Sequence, residues 1–118
     1  MALRYINRIE IPLPIRDFKE YLLTMPEIAP GLPQALAHFI MRLVVPNPEI
    51  EATAVINVVM DQSSNAKILP IIFDIDVFKI TNHAVTSEEI WHDFDQLRVF
   101  KNEIFFNSIT DKAKGLFQ

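Results

Sequence analysis

Cysteine is absent from this 118-residue chain, glycine occurs only twice, and the formal net charge is −4. Without cysteine there are no disulfides, no thiolate nucleophile and no cysteine zinc site, which is typical of proteins from a reducing compartment. Phosphate-binding loops need several glycines so that the backbone can approach the anion, but this chain has only Gly31 and Gly115. An acidic chain also repels a phosphate backbone, so we expect no binding of nucleic acid.

Long apolar runs are missing as well. No stretch approaches the roughly 18 consecutive apolar residues that cross a bilayer, and the segment from Met1 to Tyr5 reads directly into a strand instead of a signal peptide. We therefore expect a cytoplasmic protein without a membrane partner. Hydrophobic residues make up 50% of the chain, which is enough for a core, and the length predicts a single domain over residues 1–118.

The apolar residues alternate with period two in four segments, which predicts four strands that share one buried face. The first strand runs from Leu3 to Ile11 and ends at Pro12. The other three lie between Gln34 and Phe78, and short polar turns between them make neighbouring strands antiparallel. The predicted buried face of these three strands comprises Ala35, Ala37, Phe39, Met41, Leu43, Val45, Ala52, Ala54, Ile56, Val58, Met60, Ile71, Phe73, Ile75 and Val77.

Helical spacing of apolar residues predicts one short helix between the first two strands and two consecutive helices, or one kinked helix, at the C-terminus. Thr86 or Ser87 can cap the long helix, and Glu89 completes a capping box with Thr86. Ser108 with Asp111 marks the start of the second helix. The apolar positions behind these predictions are Ile15, Phe18, Leu22 and Met25 in the first helix and Ile90, Phe94, Leu97 and Ile104 in the long one.

Together these elements predict an α+β fold, in which a four-stranded, mainly antiparallel sheet carries the C-terminal helices on one face, in the order β-α-β-β-β-α-α. The pairing of the first strand stays open, because the connection from Pro12 to Pro33 permits more than one position. Lys101 lies inside the apolar stripe of the long helix. It must snorkel, pair with an acid or mark a shift in helix phase, and the sequence leaves these three interpretations open.

The other face of the predicted sheet mixes charges with large aliphatic side chains. A purely solvated face holds few large aliphatic groups, so we expect a partner to cover this one. A protein partner, a ligand cavity and plain exposure are the three interpretations, and the first is favoured. The polar candidates are Arg8, His38, Arg42, Asn57, Asp74 and Asp76, and the apolar candidates are Ile6, Leu36, Ile40, Val55, Val59, Ile72 and Phe78.

Two carboxylates offer the most suggestive chemistry. Asp74 and Asp76 are two residues apart on one strand, so they point the same way and could hold a divalent cation. Alternation with the buried residues of that strand already explains them, however, and we expect them to pair with Arg8 and Arg42 on the same face. The histidines lack metal-ligand spacing and no hydrolase triad can be assembled, so we predict no catalytic residue, metal or cofactor.

Three segments of the chain are distinctive, Leu3 to Ile9, Pro70 to Phe78, and Leu97 to Phe106 followed by Ser108 to Ala113. Together they resemble the C-terminal half of a sporadically distributed bacterial protein family of unknown function. The last block is the most specific. The resemblance implies an additional N-terminal half that this sequence lacks, and no catalytic residues.

The sequence therefore favours an intracellular interaction or assembly domain over an enzyme. We expect its outer sheet face to dock a sister domain or a second copy of the chain, as a homo-oligomer or with the missing N-terminal half. The alternative is a small-ligand-binding domain with a cavity between the sheet and the long helix.

Overall fold

The computed structural model describes residues 1–15, 17–33, 36–63, 65–80 and 86–117. It contains four strands, β1 (Ala2–Pro12), β2 (Ile40–Asn47), β3 (Ala52–Met60) and β4 (Ile68–Lys79). The long helix α1 (Ser87–Ser108) and the short helix α2 (Asp111–Lys114) follow. Single 3-10 turns occur at Phe18–Glu20 and Gly115–Phe117. The predicted α+β fold is confirmed.

The sheet has the strand order β1-β4-β3-β2, and every neighbouring pair is antiparallel. Strand β1 pairs with β4 along its whole length, from Ala2 opposite Phe78 to Pro12 opposite Ile68. This pairing answers the question that the sequence left open. It also makes β1 and β2 the two edge strands of the sheet.

The core lies between the sheet and the helical layer. Side chains of β3 and β4 alternate between buried and half-buried positions along each strand, as period-two spacing predicts. Ile71, Phe73, Ile75 and Val77 are fully buried. Helix α1 packs across β4 and β1, which places the core over this side of the sheet.

The predicted helix between β1 and β2 is wrong. That segment has only the 3-10 turn at Phe18–Glu20, begun by Asp17, whose carboxylate accepts a hydrogen bond from the Lys19 N–H. Its later backbone groups bind the end of α1 instead, since Leu23 N–H donates to Ser108 O at 2.7 Å. Pro26 and the prolines that follow it also prevent a longer helix. Tertiary hydrogen bonds thus replace the helical ones.

Strand β2 begins at Ile40, later than predicted. Phe39 is buried although it lies before the strand, and Ala37 is exposed there. Ala35, which the pattern assigned to the same strand face, lies outside the described residues.

Helix α1 begins with the predicted capping box, in which the Thr86 side chain accepts from Glu89 N–H and the Glu89 side chain accepts from Thr86 N–H. The predicted start of the second helix at Ser108 is wrong by two residues, because Thr110 caps α2. Ser108 is buried and its hydroxyl accepts a hydrogen bond from the Thr24 hydroxyl at 2.7 Å. No described helix is long and apolar enough to cross a membrane.

Lys101 lies on the sheet-facing side of α1, within the apolar stripe of the helix. Its ammonium lies 4.3 Å from the centroid of the Tyr5 ring, a cation–π contact. The residues around it on the helix, Leu97 and Phe105, are buried. The helix therefore tolerates a lysine in its apolar stripe because β1 presents an aromatic face to it.

The first turns of α1 extend past the end of the sheet. Lys79, the last residue of β4, donates from Nζ to Asp93 Oδ1 at 3.1 Å and also binds Gln96. Ile90 and Phe94 share the sheet-facing side of the helix but are exposed, because they lie near or beyond this anchor. The apolar stripe predicted from the sequence is thus longer than the surface that covers it.

Candidate functional site

The candidate site is the sheet face opposite α1, here called the outer face. The strand register brings four rows of side chains together on it, and each row crosses all four strands. Within the described ranges no helix packs on this face. The members of the four rows are Ala2, Arg4, Ile6 and Arg8 of β1, Ile40, Arg42, Val44 and Pro46 of β2, Thr53, Val55, Asn57 and Val59 of β3, and Ile72, Asp74, Asp76 and Phe78 of β4. Glu10 of β1 lies on the same face beyond the last row.

Aliphatic side chains on the outer face are strongly exposed toward its two edges. Ile40 is 71% exposed, Val44 60% and Ile6 57%. The apolar residues of the central strands are half-buried, although only their neighbours in the sheet cover them. The outer face is therefore a surface that water solvates poorly.

The polar centre of the outer face is an ion pair between β1 and β4. Arg4 donates from Nε to Asp74 Oδ1 at 3.0 Å and from Nη2 to Asp74 Oδ2 at 2.7 Å, a bidentate contact. These hydrogen bonds and the charge of the carboxylate raise the pKa of the Arg4 guanidinium above its usual value. The pair is diagonal, since the register sets Arg4 opposite Asp76.

The expected pairing of the two aspartates with Arg8 and Arg42 is wrong. Arg8 lies opposite Ile72 and donates from Nη1 to Asp61 Oδ2 at 3.0 Å. Arg42 lies opposite Asn57 on the edge strand and forms no ion pair with any residue that the structure describes. The register separates Arg42 from both aspartates by the width of strand β3.

Asp76 is the residue of the outer face whose hydrogen bonding is incomplete. Its Oδ1 atom is buried and has no hydrogen-bond partner among the described residues. A buried acceptor without a donor costs about 1–3 kcal/mol. No group of three or more His, Asp or Glu side chains suited to a metal ion occurs in the described part of the chain.

Two of the candidate residues lie elsewhere. His38 is exposed in the connection that leads to β2. Leu36, in the same connection, packs against the core. The two-residue alternation predicts both on the outer face only if β2 begins before them, but the strand begins at Ile40.

The sequence-based candidates leave out six residues of the outer face, which are Ala2, Arg4, Glu10, Val44, Pro46 and Thr53. For Arg4 and Val44, the two with large side chains at its centre, the signal was present. Arg4 is in step with Ile6 and Arg8 on β1, and Val44 is in step with Ile40 and Arg42 on β2. The diagonal contact of Arg4 with Asp74, however, depends on the pairing of β1 with β4, which is not a local property of either segment.

A cavity of about 710 Å³ lies beneath the connection between β1 and β2, and it is not bounded by α1. Leu36, Met60 and Leu69 are among the apolar side chains that line it. The charged groups at its wall include Lys19 and Glu27, which form an ion pair at 3.3 Å. This cavity therefore lies in a different place from the one expected between the sheet and the long helix.

Comparisons of the chain with protein-family models, with curated proteins and with solved structures return no match. The resemblance to a bacterial family stays a prediction. The same holds for the N-terminal half that it implies.

Proposed function

We propose that this chain is an intracellular, cytoplasmic interaction or assembly domain of a bacterial protein. Its outer face docks a sister domain or a second copy of the chain. One observation carries the proposal. A sheet face four strands wide has large exposed aliphatic side chains, and no described element covers it.

The size of the outer face indicates a modest affinity. Four strands spaced about 4.8 Å apart and eight residues long cover roughly 500 Å², below the roughly 800 Å² that each partner contributes to a standard interface. Full burial of an exposed Ile or Val side chain contributes about 1.5–3 kcal/mol. Association costs about 4–15 kcal/mol in lost freedom. A small face with three strongly exposed aliphatic groups per copy offsets this cost only in part, so we expect weak association, at micromolar concentration or above.

The charges of the outer face suit a second copy. The three arginines Arg4, Arg8 and Arg42 balance the three carboxylates Glu10, Asp74 and Asp76, so two such faces meet without net repulsion. After the Arg4 pair is formed, two groups are left without an ion-pair partner among the described residues. They are the Arg42 guanidinium on β2 and the half-buried Asp76 carboxylate on β4, whose Oδ1 atom has no hydrogen bond. In a two-fold dimer, Arg42 of each copy can supply the cation that Asp76 of the other copy lacks.

Sedimentation at increasing concentration tests the outer face. The wild-type chain is expected to associate at micromolar concentration, and Val55→Asp, which places a charge in the middle of the face, is expected to weaken association at least tenfold. Val99→Asp is the matched control, because Val99 is exposed on α1, away from this face. Equal association of Val55→Asp and wild type, or a wild-type monomer at every concentration, contradicts docking of a second copy. Circular dichroism verifies that both variants are folded.

The second candidate function is a small-ligand-binding domain, favoured by the cavity beneath the β1–β2 connection. Its volume is within the range of about 300–1,000 Å³ that is typical of ligand sites. An apolar fluorescent probe such as anilinonaphthalene sulfonate is expected to bind there, and Leu36→Trp, which fills the cavity, is expected to reduce binding. Val55→Asp is the control, because it changes the outer face and not the cavity, and it is expected to leave probe binding unchanged. Probe binding that Val55→Asp abolishes and Leu36→Trp leaves unchanged contradicts a cavity site.

A further inference from the structure

The two edges of the sheet differ in how they are protected. Natural edge strands usually carry charges that block pairing with another chain. Strand β1 follows this rule, with Arg4, Arg8 and Glu10 along its length. Strand β2 has a single charge, Arg42, and is otherwise apolar from Ile40 to Val45.

The backbone of β2 presents a row of unused hydrogen-bonding groups. Met60 N–H donates to Phe39 O at 3.1 Å, so the odd-numbered residues of this strand direct their backbone groups toward β3. The N–H and C=O groups of Ile40, Arg42 and Val44 therefore point away from the sheet. No hydrogen bond joins them to any other part of the chain that the structure describes.

Pro46 supports this assignment. It has an even number, so its missing N–H falls on the outward side and costs the ladder with β3 nothing. A proline one residue earlier or later would remove a hydrogen bond from the sheet.

The hydrophobic core is left open to solvent at β2. Leu43 and Val45 point to the buried side of the sheet but are each 37% exposed, whereas their row neighbours on β3, Ile56 and Ala54, are buried. On the other side of the same strand, Ile40 and Val44 are more exposed still. A further strand beside β2 would extend both apolar surfaces at once.

We propose that β2 pairs antiparallel with β2 of a second copy, with Leu43 opposite Leu43 on the two-fold axis. The two sheets then form one continuous eight-stranded sheet. This contact goes beyond docking through the outer face and does not depend on it.

The sequence of β2 is self-complementary in this register. Arg42 lies opposite Val44 of the second copy, Met41 opposite Val45, and the Ile40 N–H donates to the Pro46 carbonyl. The paired backbones exchange about six hydrogen bonds.

The alternative registers are poorer. A shift by one residue sends every side chain to the wrong face. A shift by two in one direction sets Arg42 opposite Arg42, which places like charges together. A shift by two in the other direction centres the pair on Val44 and sets the apolar Met41 opposite Asn47. A second copy is therefore a suitable occupant of this edge, and the register is specified.

Single cysteine variants test the register, because the chain has no cysteine of its own. Leu43 and its counterpart form a non-hydrogen-bonded pair, with Cα atoms about 4.5 Å apart, inside the range of about 4.4–6.8 Å that disulfides require. We expect Leu43→Cys to give a covalent dimer on mild oxidation. Val45→Cys is the matched control, since it has the same exposure and face. Its two copies would lie about 14 Å apart, so it is expected to stay monomeric on a non-reducing gel.

A second variant removes the hydrogen bonds without a charge. Val44→Pro deletes an outward N–H and leaves the bonds to β3 in place, so in the Leu43→Cys background it is expected to slow cross-linking at least tenfold. Thermal melts by circular dichroism verify that the variants fold. Equal cross-linking of Leu43→Cys and Val45→Cys, or cross-linking that Val44→Pro leaves unchanged, overturns the proposal.

Val55→Asp separates this contact from docking through the outer face. If Leu43→Cys still cross-links in the Val55→Asp background, the edge contact holds whatever the fate of the outer face. If Val55→Asp abolishes cross-linking together with association, the outer face is the interface and the edge pairing is refuted.

Discussion

Replacement of Phe73 by alanine tests the layer assignment on which both proposals depend. Phe73 lies in the middle of β4, is 0% exposed, and packs edge-on against Phe105 with ring centroids 6.1 Å apart. Truncation of a buried phenylalanine to alanine costs about 3–5 kcal/mol in transfer free energy and cavity formation. The lost aromatic pair accounts for about 0.5–1.5 kcal/mol of this. We expect the free energy of unfolding to fall by about 4 kcal/mol.

Ile72→Ala is the control for this change. Ile72 is the next residue of the same strand, but it points to the outer face and is only half-buried. Its truncation leaves no closed cavity and is expected to cost about 1 kcal/mol. Urea unfolding followed by far-ultraviolet circular dichroism measures both values, at a concentration low enough to keep the chain monomeric. Equal costs would show that both sheet faces are buried within the monomer, and the reasoning about an open outer face would be refuted.

Two further contacts have measurable consequences for stability. Lys79→Met leaves the largely buried carboxylate of Asp93 without its cation and is expected to cost about 1–3 kcal/mol in urea unfolding. Adding Asp93→Leu should recover part of the loss, and a double variant less stable than Lys79→Met would contradict the pair. For the cation–π contact, a double-mutant cycle with Lys101→Met and Tyr5→Leu is expected to give a coupling of about 0.5–1 kcal/mol. A coupling of zero would mean that Lys101 is placed by the helix alone.

The buried faces of β3 and β4 could be predicted from the sequence because side-chain direction alternates strictly along a strand. Each of these faces needs only its own nine to twelve residues to be recognised. The capping box at Thr86 is local in the same sense, since its two hydrogen bonds join residues three apart. Patterns of this kind survive folding because neighbouring strands and helices bury the face that is already apolar.

The segment between β1 and β2 shows where local patterns fail. Its apolar residues have helical spacing, yet Leu22 forms a bridge with Ile109 and Leu23 binds Ser108. These partners are far away in the sequence. A hydrogen bond to a distant element competes with the helical one at each position, and spacing alone does not reveal which prevails.

For the candidate site, the sequence by itself determined which side chains of each strand share a face, because every second residue of a strand points to the same side. Only the tertiary structure decided which strands are neighbours. The pairing of β1 with β4 brings Arg4 to Asp74 and leaves β2 at the edge. The exposure of Leu43 and Val45 has the same origin, since the pattern marks them as buried and only the position of α1 over β4 and β1 leaves them uncovered. Strand order depends on contacts between residues far apart in the chain, and no local periodicity encodes those contacts.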